Sequence, residues 1–190
     1  MDRTGAPREA VVHETGRLRL RSWRVDDAAL HRRLWLERDP RVPLRRRVDA
    51  AGRPTVADLE DWVRRYVPEP APGLLVVERR GSGEPVGYCG LVANSVGRPD
   101  EPELAFELLR AAWNQGYATE ASQTVLELAR RSGYRHLAST VRAWNGASLR
   151  VLEKLGFVAT GEVERDVVHG DSLLLRKTLC HDDAGVPDLP

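Results

Sequence analysis

The chain has 190 residues, a formal charge of +1, 42% apolar residues and 30% charged residues. That is the length of one globular domain, able to bury about 70% of its unfolded surface; it excludes a disordered chain, a collagen-like repeat and a protein whose net charge attracts nucleic acid. Two cysteines (Cys89 and Cys180) are too few for a disulfide framework or thiolate metal site, no run nears about 18 consecutive apolar residues, and Met1 to Glu14 lacks a secretory apolar core, so a cytoplasmic protein is expected.

Met1 to Thr15 is polar and aperiodic and reads as a flexible N-terminal segment (1–15). Arg17 to Trp23 alternates with period two, as a half-buried strand does. Asp26 and Asp27 offer an N-cap to a helix whose Leu30, Leu34 and Trp35 share a face. Arg41 to Arg53 is an arginine-rich loop. Pro54-Thr55 opens a second helix, with Leu59, Trp62, Val63 and Tyr66 at i, i+3, i+4, i+7 spacing and Pro68, Pro70 and Pro72 beyond its end.

Three strands follow: Leu74 to Glu78, Pro85 to Ala93 and Glu103 to Leu109. A helix from about Tyr117 to Ser132 buries Ala118, Ala121, Val125, Leu128 and Ala129 and stops at Gly133. His136 to Arg142 is a short strand and Asn145 to Leu155 a helix stopped by Gly156. Phe157 to Val168 and Ser172 to Leu179 are strands joined at His169-Gly170-Asp171. The order β-α-α-β-β-β-α-β-α-β-β suits an α+β three-layer domain over 16–180, with one mixed, mostly antiparallel sheet of about seven strands and helices on both faces. Only the unit from Glu103 to Arg142 reads as a parallel crossover. The end, 181–190, reads as a flexible tail.

Two segments carry chemistry. In the first, a strand runs into Asn114-Gln115-Gly116 and a helix opens at Tyr117. Helix-start amides face outward there, and the small residues Gly116 and Ala118 let an anion reach them, so the turn is a candidate phosphate seat. In the second, Asn145-Gly146-Ala147-Ser148, Asn145 can cap a helix and Ser148 lies one turn on. Gly81-Ser82-Gly83 joins two strands and opens no helix, so it is not a dinucleotide fingerprint. There is no P-loop or nucleophile elbow, and the five histidines show no metal spacing. His136 reads as structural and His169 as a solvated turn residue.

Taken together, Trp113-Asn114-Gln115-Gly116-Tyr117-Ala118-Thr119-Glu120-Ala121, Asn145-Gly146-Ala147-Ser148 and Glu153-Lys154-Leu155-Gly156-Phe157 resemble the GCN5-related N-acetyltransferases (the GNAT family), of the ribosomal-protein-alanine (RimJ/RimL-like) type. Leu18-Arg19-Leu20-Arg21 and Gly170-Asp171-Ser172-Leu173-Leu174 add to the resemblance, which covers most of 16–180. It implies that the Glu103 and His136 strands splay into a V. The pantetheine arm of acetyl-CoA would lie there, pairing with main chain near Phe106 and Leu108. The pyrophosphate would rest on amides of Asn114, Gln115, Gly116, Tyr117, Ala118 and Thr119, and Asn145 would reach the pantetheine or a water. Acetyl-CoA is the only cosubstrate implied, with no metal. The acetyl group would pass directly to a primary amine, first of all a protein N-terminal α-amine. The enzyme would be a monomer or homodimer with no membrane partner.

The residues suit such chemistry. Direct attack needs a neutral amine, a polarised carbonyl and a proton for the thiolate, but no Cys or Ser nucleophile. Glu103, Glu107, Glu162 and Glu164 are candidate bases, Glu103 first and Glu162 second. Strict alternation puts Glu103, Ala105 and Glu107 on one strand face, where pairing with arginines is the competing role. Many relatives carry a tyrosine acid where this chain has Leu152, and the resemblance nominates Ser148 instead. The Arg41 to Arg47 loop borders the acceptor region as a solvated loop or a site for an acidic group. Trp35, Trp62 and Tyr66 read as core, with Trp62 a candidate wall of the acceptor pocket. Competing readings are a small-molecule amine acetyltransferase, a non-catalytic CoA-binding module, and an RNA-binding domain using the arginine loop.

Overall fold

The structure, a computed structural model, describes residues 12–94 and 97–179. Residues 1–11, the expected tail 181–190 and Cys180 lie outside the described residues. The strands are β1 (Val12–Glu14), β2 (Leu18–Arg21), β3 (Leu74–Arg79), β4 (Pro85–Val92), β5 (Glu103–Leu108), β6 (His136–Arg142), β7 (Val158–Glu164) and β8 (Ser172–Thr178). The helices are α1 (Ala28–Glu37), α2 (Val56–Arg65), α3 (Tyr117–Arg131) and α4 (Gly146–Lys154). All strands join one mixed sheet in the order β1-β2-β3-β4-β5-β6-β8-β7.

The sheet has eight strands rather than seven. The extra one is β1, inside the segment expected to be loose. Val12, His13 and Glu14 pair with Arg21, Leu20 and Arg19, and Glu14 adds ion pairs to Arg19 and Arg80. Three residues are too few for alternation to register as a strand signal.

Helices cover both faces. On one, Leu30 and Leu34 of α1 pack with Val76, Tyr88 and Leu109. On the other, Ala121, Val125 and Ala129 of α3 and Leu152 of α4 join Leu91, Leu104 and Leu108 in the larger core. Each fully buried leucine contributes about 2 kcal/mol. Thr55 and Asp58 cap α2 reciprocally: Thr55 Oγ1 accepts from Asp58 N–H, and Asp58 accepts from Thr55 N–H. Asp27 holds the N-cap position of α1 without capping it. Its carboxylate instead accepts two bonds from buried Arg21, at 2.7 and 2.9 Å, and one from Arg24 N–H. The α3 C-terminus closes as expected: left-handed Gly133 donates to Arg130 O and Tyr134 donates to Ala129 O.

Beside β4, Tyr88 faces Glu107, Gly90 faces Ala105 and Val92 faces Glu103. Alternation therefore places Glu103, Ala105 and Glu107 on the α1–α2 face. Cys89, opposite Phe106, touches Ser122 of α3 and marks the other face. The β5–β6 contact is parallel and holds one ladder pair, Glu103 with Ala138. Ala138 N–H donates to Pro102 O, and Ser139 Oγ donates to Leu104 O at 3.1 Å. Past Leu104 the two strands part.

Candidate active site

After β5 the chain makes a short helical turn, Arg110–Ala112, and reaches α3 through two left-handed residues, Asn114 (φ 59°) and Gly116 (φ 79°). Gly116 takes that conformation without the cost a side chain brings. The first amides of α3 open beside a pocket of about 590 Å³ lined by Thr15, Arg17, Gly116, Thr119, Glu120 and Lys154, among others. Tyr117 and Ala118, partly buried, pack on the core. The Gln115 side chain folds back and donates to Ala111 O at 2.9 Å. Of the expected phosphate residues, Gly116 and Thr119 line the pocket.

The open edge of β5 follows from its ladder. Leu109 N–H donates to Val86 O. Strict alternation then turns the N–H and C=O of Glu107 toward β4, and those of Phe106 and Leu108 toward the gap. Leu108 O is already bonded, by Trp113 Nε1 at 2.7 Å. Phe106 therefore carries the main-chain acceptor of the gap, and Trp113 fixes the strand end. The exposed Trp113 in a turn was the signal available in the sequence.

The two β5 carboxylates have separate fates. Glu107 is held by Arg38 through Nε at 2.7 Å and Nη2 at 2.5 Å, and accepts from Tyr88 OH at 2.9 Å. The arginine role applies to Glu107. Glu103 has no ion-pair partner among the described residues. It accepts from Thr140 N–H across the gap at 3.3 Å. Burial raises its pKa above the ordinary value, against hydrogen bonds from Thr140 and the nearby charge of Arg46, with Glu164 adding to the rise. Glu162 and Glu164 are exposed on β7, unpaired among the described residues, and line a pocket of about 130 Å³ with Thr140, Val163, Ser172 and Leu174.

Asn145 caps α4, its Oδ1 accepting from Ser148 N–H at 3.2 Å. Ser148 is partly buried. Leu152, in the slot of the absent tyrosine, is fully buried and belongs to the core. The Arg41–Arg47 loop contains a short helical turn, Leu44–Arg46. Arg41 stacks on the Trp144 ring at 4.1 Å, bridging to the turn before α4, and Arg38 donates to Arg46 O. Arg45, Arg46 and Arg47 form no ion pair among the described residues. Trp62 and Tyr66 stack at 4.8 Å, and Trp62 also meets His31 and Trp23; both are only partly buried, so they form an aromatic cluster rather than part of the buried core. His169 is not simply solvated: its Nδ1 lies 3.1 Å from Asp166. Sequence reasoning missed Arg38, Arg17 and Thr140, which have no local motif.

The sheet thus opens beside a glycine-led helix start, and residues 17–158 match the acetyltransferase (GNAT) domain family. The chain belongs to that family. Its fold is shared by a GNAT-family acetyltransferase from Bordetella pertussis (25% identity, TM-score 0.69, covering 88% of this chain and 99% of that one). It is also shared by the Salmonella typhimurium acetyltransferase yncA, solved with its cofactor acetyl-CoA (19%, 0.65, 91% and 99%). A third is the ribosomal-protein-S5-alanine acetyltransferase of Vibrio fischeri (16%, 0.67, 91% and 98%). A curated relative, the uncharacterised protein YkkB of Bacillus subtilis, is 29% identical over 97 residues, which is 50% of this chain and 56% of that protein. Among the described residues no helix is long and apolar enough to cross a membrane.

Proposed function

We propose that the protein is an acetyl-CoA-dependent N-acetyltransferase acting by direct attack of a primary amine, with a protein N-terminal α-amine as acceptor. The observation that carries this reading is the parting of β5 and β6 after one ladder pair, beside the Gly116 helix start. The residues present fit the carrier: a glycine at the closest approach, an open pocket beside it, and free strand edge at Phe106. Acetyl-CoA supplies the activated acetyl carbon and the leaving thiol.

The chain supplies the rest. Glu103 is the base. An amine with a pKa of about 8 to 10 must lose a proton before it attacks, and Glu103, directly or through water, accepts it. Burial makes this carboxylate a stronger proton acceptor than an ordinary one. Glu162 is the second candidate. Backbone N–H groups at the gap polarise the carbonyl. Attack forms the C–N bond, the C–S bond breaks, and the thiolate takes a proton from solvent, directly or through the Ser148 hydroxyl, which solvent reprotonates at the same time. Asn145 keeps its capping bond through Oδ1, which leaves its amide nitrogen to donate to the pantetheine or to a water.

A second reading is favoured by charge. Glu162 and Glu164 line one pocket with Thr140, Glu164 acts on Glu103, and none of the three forms an ion pair among the described residues, which suits a small, multiply charged amine such as a polyamine or aminoglycoside. Incubation with acetyl-CoA against N-terminal peptides and free amines, read by thiol release and mass spectrometry, separates the two. Acetylated peptide α-amines support the first reading and modified small amines the second. CoA binding without turnover on any amine overturns both in favour of a non-catalytic module.

A further inference from the structure

The pocket beside Gly116 has a wall from the far end of the chain. Thr15, Gly16 and Arg17 form the turn between β1 and β2 and face the first turns of α3. Glu120 ties them down. It accepts from Thr15 Oγ1 at 2.5 Å, from Arg17 N–H at 3.1 Å and from Arg17 Nε at 2.7 Å. Arg17 Nη2 lies 2.6 Å from the same carboxylate, and Nη1 donates to Gln115 O at 2.9 Å.

A guanidinium has five N–H donors. Glu120 and Gln115 take three, leaving one on each Nη nitrogen. The Arg17 side chain is 53% exposed and lines the pocket. Its Nη2 would sit 3.3 Å from a Cβ at Gly116, so it stands next to the loop amides. The Tyr117 ring lies under it at 4.9 Å. Across the pocket is Lys154, at the end of α4, with no ion-pair partner among the described residues. Glu120 alone would repel an anion from the helix start. Paired with Arg17 it is neutralised, and it fixes the angle of the remaining donors.

We infer that Arg17 is a phosphate-contacting residue of this seat, oriented by Glu120 and directed at the diphosphate of the CoA arm. The inference rests on the acetyl-CoA reading above. A purely structural latch between the β1–β2 turn and α3 is the competing role, and ligands that lack phosphates tell the two apart.

The test is calorimetric titration of the full chain with CoA, dephospho-CoA and pantetheine, in the native protein and in Arg17→Ala and Arg17→Lys. Loss of a charge-assisted bond to phosphate predicts that Arg17→Ala weakens CoA and dephospho-CoA alike, about tenfold or more, and leaves pantetheine unchanged. Arg17→Lys, which keeps the charge but loses the fork, restores part of the affinity and supplies the result should the alanine variant fail to fold. An unchanged CoA affinity overturns the inference, and so does an equal loss for all three ligands. A loss confined to CoA moves the contact to the 3′-phosphate and overturns the diphosphate assignment. A native protein that binds none of the three overturns the acetyl-CoA reading itself.

Discussion

Arg38, at the end of the first helix, grips Glu107 in the centre of the sheet with two nitrogens, while Glu103, four residues earlier on the same strand face, forms no ion pair among the described residues and feels only the more distant charge of Arg46. The arginine side chain is only 9% exposed and the glutamate 21%. Removing one member strands the other in a poorly hydrated place. Glu107→Ala is expected to cost about 3 kcal/mol or more of stability. Chemical denaturation of the variant measures it, and a loss below about 1 kcal/mol would mean that solvent reaches Arg38 freely.

Glu103→Gln is expected to behave in the opposite way. Its carboxyl is raised in the fold by burial, so the native state holds the proton to higher pH than the unfolded chain does. Wild-type stability from this group is therefore full below the unfolded value and falls as pH rises through the folded one. The variant should melt higher than wild type at pH 7, and the difference should vanish in acid. Its turnover should drop about 100-fold near neutrality. The drop should shrink at alkaline pH, where the acceptor amine is already neutral. A pH-independent loss assigns the base elsewhere, with Glu162→Gln the next variant.

Gly116 adopts φ +79° beside the seat. Gly116→Ala should destabilise by about 1 kcal/mol through the backbone alone. Gly116→Glu adds bulk and negative charge and should weaken acetyl-CoA binding at least 100-fold, about 3 kcal/mol. Undiminished affinity in the glutamate variant would place the phosphates away from this turn.

His31 sits among Trp23, Trp35, Trp62 and Tyr88. Burial, followed by the positive charge of Arg38, lowers its pKa to about 4, against the charge of Glu107. A depressed histidine contributes stability above its unfolded value of 6.5, and that contribution is lost as pH falls toward 4. The loss amounts to roughly 3 kcal/mol across that window. His31→Phe fills the same space without a proton site. Its melting temperature should decline less than wild type's between pH 6.5 and pH 4, and parallel declines would exclude the histidine as the cause.

Much of this was legible in the residues. The alternation from Glu103 to Leu108 put both carboxylates on one face of the strand, as the pairing with β4 bears out. The glycine before Tyr117 marked the helix start, and Asn145 with Ser148 marked a cap. Partner choice was not legible. Arg38 lies 69 residues from Glu107, and Arg17 lies 103 from Glu120. In a chain so rich in arginine, spacing names no pair across such distances. Asp27 shows the same limit: it stands where a cap belongs, yet the buried Arg21 claims its oxygens. The parting of β5 and β6 is a tertiary feature too, since each strand taken alone is ordinary; resemblance supplied it.

That parting makes the sheet two plates, β1 to β5 and β6 with β8 and β7, riveted at Glu103–Ala138 and by the Ser139 hydroxyl. Near the rivet the plates are fixed; farther along, backbone bonds no longer set their separation. Whatever long, narrow molecule enters becomes the missing rung and should stiffen the whole assembly. In the empty protein, amide exchange should be fastest along the two lips of the slot.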